Sequence, residues 1–194
     1  TGLTENSLVI RLALARFAPE WPSGQGPAAV ALYILPTLQS ARFALALEEV
    51  NLERPTAEPV TAGRISGMLA AKGVRLIALD RIDPAWRSAA FLELPVAEIR
   101  RRLAGQVDYL VRGRLRTVAA ERTAQGICFA YAGGTVEMID IRRGDLAARV
   151  DLSADRRIKG GDRSFEQAGL RALRSLADQA TTELEARLSA LFPR

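Results

Sequence analysis

The sequence predicts an α/β (α+β) domain, a mixed sheet of about five strands with helices packed on it and a long C-terminal helix, and three observations predict it. First, residues 107–155 read as three strand-like segments and two turns: VDYLVRGRLRTV, ERTAQG, ICFAYAGGTVEMIDI, RRGD and LAARVDLSAD. The last segment alternates, with Leu146, Ala148, Val150, Leu152 and Ala154 on one side and Ala147, Arg149, Asp151, Ser153 and Asp155 on the other. A period of two means one buried face and one wet one. Second, a strand, helix, strand order upstream forms a βαβ unit, which favours parallel pairing of its strands. Third, a long helical stripe at the C-terminal end needs a surface to lie on, and the meander just before it is the nearest.

The elements follow in chain order. Residues 1–40 form an N-terminal segment rich in loop signals, and the α/β domain occupies 41–194. Residues 5–18 fit helix and strand templates equally poorly. Pro19, Pro22, Gly24, Gly26 and Pro27 then break the chain, and AAVALYIL reads as a buried strand ending at Pro36. Arg42–Val50 alternates as a strand, and Asn51–Pro59 is its exit loop because each X-Pro step disfavours helix for the residue before it. Val60, Ile65, Met68 and Leu69 are spaced for a helix closed by Gly73, and VRLIAL returns as a short buried strand. Asp83-Pro84 starts a helical turn or two towards Phe91. Pro95 opens a helix with the stripe Val96, Ile99 and Leu103, closed by Gly105. After the meander, RRIKGGDR makes a tight turn, and Ser164 with Gln167 forms a capping box. The helix it opens runs to about Leu191, with Phe165, Gly169, Leu173, Leu176, Ala177, Ala180, Leu184, Leu188 and Leu191 on one face.

Composition bounds the chemistry. The 194 residues suffice for a sizeable core, and 48% hydrophobic with 25% charged residues is ordinary for a globular chain. With one cysteine, Cys128, and no histidine, an intramolecular disulfide, the usual Cys/His zinc sites and histidine acid–base catalysis are excluded. Cys128 lies in an apolar strand pattern and reads as a small core residue. The net charge is +5, but the 27 Lys+Arg are interleaved with 22 Asp+Glu, which reads as a mixed surface more than a nucleic-acid footprint. No run reaches the ~20 apolar residues of a spanning helix. The start at Thr1 has no charged leader or cleavage site, so the chain reads as processed or trimmed.

Two groups of residues have the chemistry of contact sites. Arg112, Arg114 and Arg116 alternate along one strand face, a stripe suited either to anions or an acidic partner, or to cross-strand pairing with acids such as Glu137. No aromatics interleave with them on that strand, which weakens base stacking. Gly160 and Gly161 precede a helix beside Arg156, Arg157 and Lys159, a place for an anion or simply a capped turn. The Walker spacing is missing. Arg100, Arg101 and Arg102 end a helix, where cations suit the dipole. Glu48, Glu49, Asp80 and Asp108 are the acids from which a carboxylate enzyme would draw. No catalytic constellation, metal set or cofactor signature is present in the sequence.

The order VDYLVRGRLRTV…YAGGTVEMIDIRRGDLAARVDL…KGGDRSFEQAGLRALRSLADQATTELEARL resembles the periplasmic superfamily that includes the curli-secretion channel protein, the lipoprotein activators of penicillin-binding proteins and the T component of the flagellar H ring. RFALALEEVNLERPTAEPVTAGRISGMLAAKGVRLIALDRI resembles that superfamily's first strand, helix and second strand, so the likeness spans Arg42 to Leu191. It departs in lacking a lipid-attachment cysteine and a membrane-spanning hairpin, and in a turn reading Ile141-Arg-Arg-Gly144. The resemblance implies a non-enzymatic periplasmic or envelope-associated assembly subunit with protein partners, including copies of itself, in a ring of a secretion or flagellar-type machine. A nucleotide- or nucleic-acid-binding module is the alternative. Fold likeness alone does not carry function.

Overall fold

The computed structural model describes residues 37–56, 59–87, 89–152 and 158–192. The sequence expectations for residues 1–36, and for Ser153 to Arg157 including Arg156 and Arg157, lie outside the described residues. A seven-stranded mixed sheet runs in the order β2-β1-β4-β5-β6, with β3 also beside β1 and β7 also beside β5. The strands are β1 (Arg42–Asn51), β2 (Arg54–Pro55), β3 (Arg75–Leu76), β4 (Tyr109–Arg122), β5 (Cys128–Asp140), β6 (Asp145–Asp151) and β7 (Lys159–Asp162). The helices are α1 (Val60–Ala71), α2 (Val96–Leu103) and the long α3 (Phe165–Leu191).

The expected class is the observed one, and its parts follow from the sequence. β1, α1 and β3 form the crossover unit, with β3 parallel to β1 through Arg42 opposite Arg75 and Phe43 opposite Leu76. β1 also lies parallel to β4, from Phe43 opposite Tyr109 to Val50 opposite Arg116. β4, β5 and β6 form the antiparallel meander. The Ser164 hydroxyl accepts from the Gln167 N–H and starts α3, which packs on β4, β5 and β7 and against α1. Among the described residues no helix is long and apolar enough to cross a membrane.

Among the described residues the sheet is covered on both faces at one end and on one face at the other. Phe43, Val111, Leu115, Val136, Met138 and Val150 meet Ile65 and Leu69 of α1 and Leu173, Leu176, Ala180 and Leu184 of α3 in the larger core. On the opposite face Ala44, Leu110 and Ile139 meet Ile99 and Leu103 of α2 with Leu79, Trp86 and Phe91 from the preceding 3-10 turns. Strands buried on both sides read as continuous apolar runs, which is why FALAL in β1 shows a weak period.

Several local expectations are corrected. The exit loop after β1 is a tight hairpin: Leu52 and Glu53 have φ of 47° and 69°, and β2 pairs back on β1. VRLIAL contributes two strand residues, after which the chain turns through 3-10 pieces at Leu79–Arg81, Pro84–Arg87 and Ala89–Glu93. The tight turn expected at KGGD is the strand β7, antiparallel to β5. Leu146, expected inside, is 47% exposed, because a register shift between Met138 and Ile139 turns the start of β6 over. Leu191 is 41% exposed, while Ala168 and Ala172, outside the expected stripe of α3, are buried.

Candidate functional site

Past α2 no described helix covers the second face of the sheet, and its charged residues sit where a period of two places them. Cross-strand register puts Glu48 beside Arg114, Arg112 beside Glu137 and Glu137 beside Arg149. Arg112 Nε donates to Glu137 at 3.0 Å, and its Nη1 donates to the carbonyls of Leu92 and Leu94 at 3.3 and 2.8 Å. Arg114 donates to Glu48 at 2.5 Å and to Glu93 at 3.1 Å, contacts that raise its pKa above the ordinary arginine value. Arg149 reaches Glu137 and Asp151 at 3.5 and 3.6 Å. These charges are mutually compensated, so the surface presents a lattice of ion pairs rather than a positive field.

Gly113 stands between Arg112 and Arg114 where the strands come close. A Cβ there would stand 2.5 Å from the Thr135 carbonyl oxygen, so glycine is required by close strand approach, and the pairing is regular through it.

Beyond Arg116 the sheet ends on one side and continues on the other. β1 stops pairing at Val50, yet β4 runs on to Arg122, an overhang of about 20 Å. β5 returns beside it through a turn in which Thr123 N–H donates to the Ile127 carbonyl and Gly126 N–H to the Thr123 carbonyl. Val118 to Arg122 are all exposed, Val118 at 57%, and their outer backbone edge is unpaired among the described residues. A bulge between Ala119 and Arg122 adds twist near the tip.

The root of this overhang is pinned. Thr117 Oγ1 donates to Asn51 Oδ1 at 2.7 Å and accepts from the Leu52 N–H at 3.0 Å; Asn51 Nδ2 donates to the Glu166 carbonyl in α3. Gly169 makes the room, since a Cβ there would stand 1.9 Å from Asn51 Oδ1. The hairpin, the strand and the helix therefore share one buried polar contact.

The sequence-derived residues divide accordingly. Arg112 and Arg114 are in the ion-pair lattice, and Arg116 is exposed with no ionic partner among the described residues. Lys159 lies on the same face across β5, 3.7 Å above the Phe129 ring and 3.0 Å from Glu121. Gly160 is buried against α3, where a Cβ would stand 2.0 Å from the Ala168 carbonyl oxygen, and Gly161 leaves space for the Phe129 ring. The aromatics missing from the arginine strand stand on its neighbour: Tyr131 opposes Val118, and Phe129 lies two residues on. The two alternating strands contain this signal, but only their register reveals it.

Glu48, Glu49 and Asp108 do not converge. Glu49 faces α1, where its carboxylate accepts from the N–H groups of Val60 and Thr61, while Glu48 faces the opposite side. Asp108 lies at the far end of β4. Burial disfavours its charged form, but hydrogen bonds from the Arg42 guanidinium and backbone N–H outweigh that and hold its pKa below the usual carboxylate value. Among the described residues no three acidic or cysteine side chains are grouped to hold a metal ion.

No family model matches the chain, and no curated protein matches it in sequence. It is similar to lipoprotein GNA1162 from Neisseria meningitidis, with 11% identity over 75% of this chain and 99% of that one at a TM-score of 0.47. It is similar to the hypothetical protein CT253 from Chlamydia trachomatis, with 13% identity over 77% and 98% of the two chains at 0.45. It is also similar to the PelC dodecamer subunit from Paraburkholderia phytofirmans, with 19% identity over 75% and 91% at 0.38.

Proposed function

We propose that this chain is a non-enzymatic assembly subunit of the cell envelope or periplasm that works by protein–protein contact, with copies of itself among its partners. The observation that carries the reading is the β4 overhang: five consecutive exposed residues, small or apolar from Val118 to Ala120, on a pinned root, with a strand edge that pairs with none of the described residues. An unpaired edge is a template for another strand, and here no proline interrupts it. The resemblance of residues 42–191 to periplasmic assembly proteins supplies the setting, including the finer suggestion of a ring in a secretion or flagellar-type machine.

Native mass determination across a concentration series tests it. The wild-type chain is expected to associate, and Val118→Lys with Ala120→Lys to shift it towards monomer with its circular dichroism and unfolding midpoint unchanged, because both side chains are exposed. A chain that stays monomeric throughout, and that co-purifies with nothing from an envelope fraction, overturns the reading.

A further inference from the structure

We propose that the arginine-rich end of the sheet, opposite the β4 overhang, docks on a membrane surface of anionic phospholipid headgroups. Four elements bring the arginines together. Arg75 of β3 is the register neighbour of Arg42 in β1. Arg42 is held by Asp108, and Arg142, in the turn between β5 and β6, approaches the same carboxylate at 4.0 Å. Arg100 of α2 lies against that turn, in the space left by the missing side chain of Gly144. Arg143 completes the set beside Asp140, with its side chain 67% exposed.

The nearby acids are largely withdrawn. Asp108 and Asp140 are buried, the latter accepting from the N–H groups of Arg142 and Arg143 at 2.9 and 3.0 Å. Glu98 is bridged by Arg101 and Arg102, and Asp145 is exposed beside the turn. Arg75, Arg100, Arg142 and Arg143 are all exposed. Unlike the ion-pair lattice on the open face, this end keeps an excess of positive charge.

Apolar side chains choose the occupant. Three of the exposed large hydrophobic residues border this end: Leu76 beside Arg75, Leu146 just after Gly144, and Leu191 next to Phe192, whose ring meets those of Phe43 and Tyr109. Arginines with exposed leucines beside them, spread over several elements, fit a broad interfacial surface. An acidic peptide would be better served by a channel. Guanidinium groups also dehydrate readily and bind phosphate in a fork geometry. The proposal does not depend on the assembly reading, since it concerns the other end of the sheet.

The test is sedimentation of the full chain with vesicles of phosphatidylcholine alone and of phosphatidylcholine with phosphatidylglycerol. Binding to the anionic vesicles only, falling steeply as salt rises, is expected. Arg100→Gln, Arg142→Gln and Arg143→Gln together should weaken it on the order of 100-fold, since each charge near such a surface contributes roughly fivefold. Arg122→Gln, Arg163→Gln and Arg174→Gln, the same charge change elsewhere, should leave it nearly intact. Leu146→Ser with Leu191→Ser should weaken binding without altering its salt dependence. Equal loss in the two arginine variants, no loss in the leucine variant, or release by inorganic phosphate at matched ionic strength overturns the proposal. Capture of polyglutamate in preference to the anionic vesicles would do so too and would assign the surface to an acidic protein.

Discussion

Gly160 shows how little latitude a single residue has in this fold. It lies where β7 touches α3, and a methyl group there would meet the Ala168 carbonyl oxygen and the Ala172 nitrogen, at 2.0 and 2.5 Å. Both are backbone atoms of a helix and neither moves cheaply. Gly160→Ala should therefore lower stability by about 2 kcal/mol or more, read as a reduced denaturant midpoint at constant slope. Two glycines before a helix are compatible with an anion cradle or with close packing, and the sequence holds both meanings. What separates them is the helix backbone that faces β7, which no local pattern records.

Asp108 gives a second residue-scale expectation. Because its pKa in the folded chain lies below its unfolded value, the stabilisation is complete above the unfolded pKa, near ~3.9, and is lost as pH falls through the lower folded value. Asp108→Asn should be less stable at neutral pH by roughly 1.5–3 kcal/mol, the scale of hydrogen bonds to a charged group. The gap between the two proteins should narrow in acid below about pH 4. Parallel unfolding curves at neutral and acidic pH check the sign. An Asp followed by Tyr at a helix-to-strand passage was visible in the sequence. Its partner Arg42 was not, being 66 positions away.

At the scale of elements, the two principal helices begin in different ways. α3 carries its own cap in Ser164 and was legible for that reason. α1 starts after Pro59 with no side-chain cap of its own, and its first N–H groups are satisfied by Glu49, a buried carboxylate from β1. An anion is favourable at a helix N-terminus. Ser164→Ala should cost about 1 kcal/mol. Glu49→Ala should cost about 1–3 kcal/mol, since it also leaves buried N–H groups unpaired. Thermal unfolding of both variants would establish the ranking. The cap on α1 was out of reach because it is supplied across the sheet, whereas the Arg112–Glu137 pair was within reach because both strands alternate and the turn between them sets their register.

For the whole molecule, the sequence conveyed the larger core well and the smaller one poorly. Alternation in the meander and the stripe of α3 specify one shared face, and Val136, Met138, Val150, Leu173 and Leu184 all meet there. The second core rests on 3-10 pieces around Trp86 and Phe91, whose rings stack 4.0 Å apart without any helical or strand period to announce them. The uncovered part of the second face follows from that asymmetry, because α2 and the 3-10 turns cover one end, whereas the overhang follows from β4 outrunning β1. Among the described residues the ends of the sheet thus differ in character: an unpaired strand edge at one, arginines with exposed leucines at the other.

The parallel seam between β1 and β4 also sets an order of events in time. β1 comes first of the described strands, yet its longest partner in the sheet, β4, is synthesised 66 residues later, after α1, β3 and α2. The meander and α3 join segments that follow one another closely, so they close short loops and should gain amide protection early in pulsed hydrogen exchange. Until the seam closes, the edge of β1 that β4 will occupy stays unpaired from Phe43 to Val50, although α1 and β3 can already pack beside it. A chain still being made therefore holds one flank of β1 open for an interval set by the length of sequence that separates it from β4.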